Sequence, residues 1–130
     1  MVSSLKRQTK VNVSDSIKFQ LKAEADILVE NVLKPRFIEP PPKEYDFNYL
    51  VDIFTKWYRN YFYFCSKYNC PGPNAISPSF ESKFARLEYA GPNNFNLSYM
   101  RHTEQWIEIE SELSFDQCLK IIEEDALFNP

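Results

Sequence analysis

The stretch Phe80-Glu-Ser-Lys-Phe-Ala-Arg-Leu-Glu-Tyr89, then Ala90-Gly-Pro-Asn-Asn94 and Phe95-Asn-Leu-Ser-Tyr99, decides the fold. The first ten residues alternate in polarity with a period near two, and the last five place large side chains at every second position, as strands with one buried face do. The intervening run is turn chemistry, so two adjacent antiparallel strands are expected. Arg101-His-Thr-Glu104 can reverse the chain again, and Gln105-Trp-Ile-Glu-Ile-Glu110 resumes the alternation. A three-stranded meander follows.

Downstream, Ser114-Phe-Asp-Gln117 has the form of a capping box, in which Ser114 accepts from the backbone N–H of Gln117 and Gln117 reaches back. Asp116 suits the positive end of a helix dipole. Phe115, Cys118, Leu119 and Ile122 then form an apolar stripe, with the helix ending near Glu123, Glu124 and Asp125 and residues 126–128 packing as a tail. Trp106 and Leu119 are expected in the shared core, where truncation to Ala costs about 2–5 kcal/mol.

Upstream, Ser14, Asp15 or Ser16 can cap a helix whose face carries Ile17, Leu21, Ala25, Leu28 and Val32, widened by Val29 and Leu33. Pro35 disfavours helical geometry in the residue before it, so this helix is expected to stop by Lys34. Pro40-Pro-Pro42 reads as a stiff connector. Residues 45–65 fit two periods. Phe47, Leu50, Val51, Phe54, Trp57, Tyr58 and Tyr61 make a helical stripe, whereas Phe47, Tyr49, Val51, Ile53 and Thr55 share one face of a strand, and residues 61–64 are of types that strands prefer. Asn69-Cys-Pro-Gly-Pro-Asn74 and Ser77-Pro-Ser79 are loop.

Length and composition narrow the chemistry. With 130 residues the chain fits one domain able to bury roughly two thirds of its unfolded surface, with no need of disulfides or metal. Hydrophobic residues at 44% and charged residues at 25% are near globular averages, so global disorder is not expected. The two glycines, Gly72 and Gly91, cannot make either Gly-rich phosphate loop. No apolar run approaches the 18 or so residues that span a bilayer and the polar N-terminus lacks a signal-peptide core, so a cytoplasmic setting without membrane attachment is expected. Three cysteines, Cys65, Cys70 and Cys118, then read as reduced thiols; Cys65 and Cys70 lack the second ligand pair of a zinc site. No cofactor is implied. Residues 1–13 read as a flexible basic arm ahead of a single domain, residues 14–130.

The span of residues 84–128 resembles a family of small bacterial proteins known as domain of unknown function three-zero-two-four. The residues that carry the likeness are Phe84-Ala-Arg-Leu-Glu-Tyr89, Phe95-Asn-Leu-Ser-Tyr-Met-Arg101, Trp106, Leu119-Lys-Ile-Ile-Glu-Glu-Asp125 and Phe128. The resemblance implies no activity, because the family has none assigned. It is compatible with a hairpin of residues 45–53 and 61–65, which favours strands in the ambiguous segment. The expected fold is therefore α+β: an antiparallel meander sheet of about five strands with N- and C-terminal helices packed on one face.

For function, the reading favours a non-enzymatic binding or protein-interaction module with an unknown protein or small-molecule partner, as monomer or weak homodimer. Arg86, Tyr99, Arg101, His102, Glu108 and Glu110 are the candidate surface. Glu108 and Glu110, two apart on a strand, are expected on one face with Glu88 or Arg86 facing them across the meander. A small enzyme is the rival, with His102 as acid–base group beside a carboxylate such as Glu104. The tyrosines Tyr49, Tyr61, Tyr63, Tyr89 and Tyr99 could stack bases, but are read mainly as core. Nucleic-acid binding would fall to Lys6, Arg7 and Lys10. Residues 1–43 carry a net charge of +3 and the rest −6, so phosphate backbones are repelled from the second part.

Overall fold

A computed structural model describes residues 12–42 and 47–130. The chain starts with helix α1 (Asp15–Leu28), passes through a π-helical turn (Val29–Leu33) and a short helix α2 (Lys34–Phe37), and then forms five strands. These are β1 (Tyr49–Tyr58), β2 (Tyr61–Asn69), β3 (Ser79–Gly91), β4 (Asn94–Met100) and β5 (Trp106–Leu113). Helix α3 (Phe115–Glu124) and a 3-10 turn (Ala126–Phe128) close it. The sheet order is β1-β2-β3-β4-β5 and every neighbouring pair is antiparallel. The fold is α+β, an open five-stranded meander with helices from both ends of the chain on one face.

Local chemistry explains each element. Ser14 caps α1 by accepting from the Ile17 N–H. The helix does not stop before Pro35, contrary to the sequence expectation. Proline removes an N–H and its ring collides with the carbonyl four residues back. Here the preceding turn is π-helical, with the Lys34 N–H reaching the Val29 carbonyl, and this wider turn lets the helix carry Pro35 and run on to Phe37. At α3 the reciprocal Ser114–Gln117 capping box is present.

Residues 49–58 and 61–69 are strands, so the ambiguous segment resolves as a hairpin. It is longer than expected. β1 continues to Tyr58, and Tyr58 pairs with Tyr61 across the two residues Arg59 and Asn60, with Arg59 at φ 56°. The β3–β4 turn places Gly91 at φ 145° and Asn93 at φ 49°, which the Gly-Pro-Asn run tolerates.

The core lies between the sheet and the helices. Alternation sends Ile53, Phe62, Phe64, Leu87, Phe95 and Leu97 inward, each fully buried, against Ala25, Val29, Leu33, Phe115, Cys118 and Phe128. Phe62 is its hub, with ring centroids 4.9 Å from Trp57, 5.6 Å from Phe64 and 5.8 Å from Phe115. Val13, just ahead of α1, is buried in the same core. The more N-terminal part of the expected basic arm lies outside the described residues.

Polar contacts fix the helices on this side. Thr55, buried on β1, donates to Asp26 at 2.5 Å, and Lys22 bridges to Asp26 at 2.8 Å and Thr55 at 3.1 Å. The Trp57 indole N–H donates to the Lys18 carbonyl at 3.0 Å. Arg36 donates to the Glu123 carbonyl at 2.6 Å, placing a cation at the negative end of α3 and joining the two helical ends of the chain.

Phe62→Ala or Phe115→Ala should lower stability by about 3–5 kcal/mol in urea melts, because each leaves a cavity under the helices. Leu119 is half-buried at the core's margin, so Leu119→Ala should cost clearly less. An equal loss at Leu119 would show that α3 packs differently.

Candidate functional site

Each strand divides its side chains between two faces, and the helices cover only one. The other face is a lattice set by register. One row runs Lys56, Tyr63, Arg86, Ser98, Glu108 across the five strands, each residue paired with the next. A second runs Tyr58, Tyr61, Glu88, Asn96. Beyond the first row lie the pair Cys65–Lys83 and the pair Met100–Trp106.

Cations on this face rest on rings. The Arg86 guanidinium carbon is 5.0 Å from the Tyr61 ring centroid and 5.1 Å from that of Trp106, a sandwich that suits a planar delocalised cation. The Lys83 ammonium is 5.3 Å from the Tyr63 ring, and Tyr63 and Trp106 are 5.9 Å apart. Among the described residues Lys56, Lys83 and Arg86 enter no salt bridge. The Arg86 Nε is buried without a hydrogen-bond partner.

Beside the sandwich is a groove of about 470 Å³. Tyr63, Met100 and Trp106 supply its apolar walls, Lys56 and Lys83 its cations, and Glu81 and Glu104 its carboxylates. The two lysines are half-buried as residues, whereas Glu81 and Glu104 are exposed. Burial raises the Tyr63 hydroxyl above its ordinary range, against the opposing pull of Arg86. Cys65 also lines the groove but is 1% exposed. Burial pushes its thiol up despite Lys56 and Lys83 nearby, so it is a poor nucleophile.

The sequence candidates scatter. Arg86 and Glu108 share the uncovered face, separated by Ser98. Tyr99 points the other way, its ring edge-on to Phe128 at 6.4 Å. Arg101 and His102 lie exposed in the β4–β5 turn, and His102 makes no hydrogen bond or ion pair among the described residues. Glu108 and Glu110 are not on one face, contrary to expectation. The register shifts between Leu97 and Ser98, so Glu108 pairs with Ser98 while Glu110 pairs with core-facing Leu97 and acts electrostatically on Cys118 beneath α3.

Trp106 is likewise corrected: it belongs to the uncovered face and only half buries there. Lys6, Arg7 and Lys10 lie outside the described residues. Sequence reasoning passed over Lys56, Lys83 and Met100, whose approach depends on long-range register. The alternation Tyr61-Phe-Tyr-Phe64 was a usable signal, because tyrosine keeps its hydroxyl near water while phenylalanine does not need to.

A second hollow of about 300 Å³ lies between α1 and the β3–β4 turn, where Ile17, Leu21, Glu24 and Asp116 meet. Its charged groups are carboxylates only. Among the described residues no three His, Cys, Asp or Glu side chains converge as a metal site requires, and no helix is long and apolar enough to cross a membrane.

Two outcomes follow. Trp106→Ala should destabilise the fold by clearly less than Phe62→Ala, read in the same urea melts; parity would return Trp106 to the core. Burial raises the Cys118 thiol from 9.0 to about 12, so the folded state holds that proton more tightly than the unfolded chain. The resulting stability is complete below pH 9 and is lost as pH rises toward the folded value. Between pH 8 and 10 stability should fall by about 1 kcal/mol from this thiol, and Cys118→Ala should flatten that decline in denaturant titrations. An unchanged slope would refute the assignment.

Comparison with curated proteins and with solved structures returns no match. A family model does match: Domain of unknown function (DUF3024), over residues 14–130. With that match spanning nearly the whole chain, including helices α1, α2 and α3 and strands β1 to β5, the protein belongs to the DUF3024 family.

Proposed function

We propose that this protein is a non-enzymatic cytosolic binding module that takes its partner on the uncovered face of the sheet. The observation that carries this reading is the cluster of Arg86 and Lys83 over Tyr61, Tyr63 and Trp106, with Lys56 beside Tyr63, cations to which no carboxylate is bridged among the described residues. The buried Arg86 Nε without a hydrogen-bond partner among the described residues costs free energy in the free protein, and a ligand that supplies negative charge and ring surface recovers it. The rival enzyme reading lacks comparable support. His102 is exposed in a turn and makes no bond to a carboxylate that could orient it, and the Cys65 and Cys118 thiols are buried with raised pKa.

Affinity capture from cells that make the protein tests the proposal, with bound molecules identified by mass spectrometry. Whatever binds the wild type should be lost from a folded Arg86→Ala, Trp106→Ala variant and retained by His102→Ala. Retention by the first and loss from the second would overturn the reading in favour of the turn.

A further inference from the structure

We infer that the groove beside Trp106 binds a small planar aromatic phosphate of mononucleotide size. The inference rests on the binding-module reading above and names its ligand. Three observations converge on it. The groove, at about 470 Å³, falls in the range of sites for small organic ligands. Tyr63 and Trp106 line it half-buried, offering ring surface for stacking, with Met100 as a polarisable neighbour. Lys56 and Lys83 line it together, the Lys83 ammonium 5.3 Å from the Tyr63 ring, so two cations border the same groove.

Charge selects phosphate among anions. Two lysines without salt-bridge partners among the described residues match a phosphate monoester, which carries about −1.5 to −2 at pH 7, better than they match a single carboxylate. The guanidinium of Arg86, 5.1 Å from the Trp106 ring centroid, adds to the positive potential. Glu81 and Glu104 do not cancel it. They are exposed at the rim, where water screens them, and from there they repel a long polyanion while accepting from neutral hydroxyls of a sugar. A single nucleotide satisfies all of these groups at once, with base on Trp106 and Tyr63, phosphate on Lys56 and Lys83, and sugar toward the rim. Single-stranded nucleic acid would have to pass the rim carboxylates.

The test is a set of titrations of the full chain, followed by calorimetry and by backbone and indole NMR shifts. The probes are adenosine monophosphate, adenosine, inorganic phosphate, a single-stranded RNA decamer and a hexaglutamate peptide. The monophosphate should bind saturably, shift the Trp106 indole and the Tyr63 and Lys83 amides, and bind at least tenfold more tightly than adenosine or phosphate. Lys56→Gln with Lys83→Gln should weaken it at least tenfold and bring it level with adenosine, with circular dichroism unchanged. Equal binding of phosphate and monophosphate would overturn the inference, as would monophosphate shifts located elsewhere. Groove shifts with the RNA or the peptide but none with the monophosphate would also overturn it while leaving the binding-module reading intact. No groove shifts with any of the five probes, alongside capture that ignores Arg86 and Trp106, would remove both.

Discussion

A strand has two faces, and this chain has helices for only one of them. The period of two along each strand sends Phe62 and Phe64 to one side and Tyr61 and Tyr63 to the other, and no rearrangement of the meander can bury both sets. α1 and α3 come from opposite ends of the sequence yet settle on the same side, where Arg36 joins the end of the first helical segment to the last turn of α3. Phe62, touching Trp57, Phe64 and Phe115, shows why: one aromatic hub organises a single apolar layer, and both amphipathic helices need it. Everything on the opposite face is a consequence of that choice.

That opposite face must be compatible with water while carrying large rings. It does so by laying cations across them, Arg86 between Tyr61 and Trp106 and Lys83 over Tyr63. The long side chains shield ring surface that would otherwise be a flat apolar patch. Among the described residues the same arrangement leaves cationic heads without bridged carboxylates, which distinguishes this surface from an ordinary exposed face laced with ion pairs. The salt bridges that form among those residues, Lys22–Asp26, Lys34–Glu30, Lys34–Asp52 and Lys120–Glu124, belong to helices or to their contact with β1.

How much of this was legible in the sequence depends on the range of the physics involved. The meander of residues 79–113 and the Ser114 capping box are local patterns, and both are present as read. The hairpin at residues 49–69 was ambiguous because its aromatics fit both periods; packing against α1 selects strands. The π-helical turn before Pro35 has no local signature, since it is an accommodation between a proline that lacks a donor and a stripe, Val29 and Leu33, that the core requires. The bulge that separates Glu108 from Glu110 was also invisible, and with it their assignment to opposite faces. Trp106 is different. It has the parity of Glu108, with Ile107 and Ile109 on the alternate set, so its outward placement was written in the sequence and was overridden by the habit of burying tryptophan.

The register then gives the uncovered face a direction. Along the row Lys56, Tyr63, Arg86, Ser98, Glu108 the charge passes from cationic at β1 to acidic at β5, with an aromatic and a hydroxyl between. β5 is an edge strand, and Glu108, Glu110 and Glu112 along it discourage pairing with a like copy. Of these acids Glu108 lies on the uncovered face, so protection of the edge also polarises that face, with Lys56 and Arg86 toward one side and a carboxylate at the other. Folding economy on one side of the sheet and edge protection at its end are together sufficient to build a face whose two sides differ in charge.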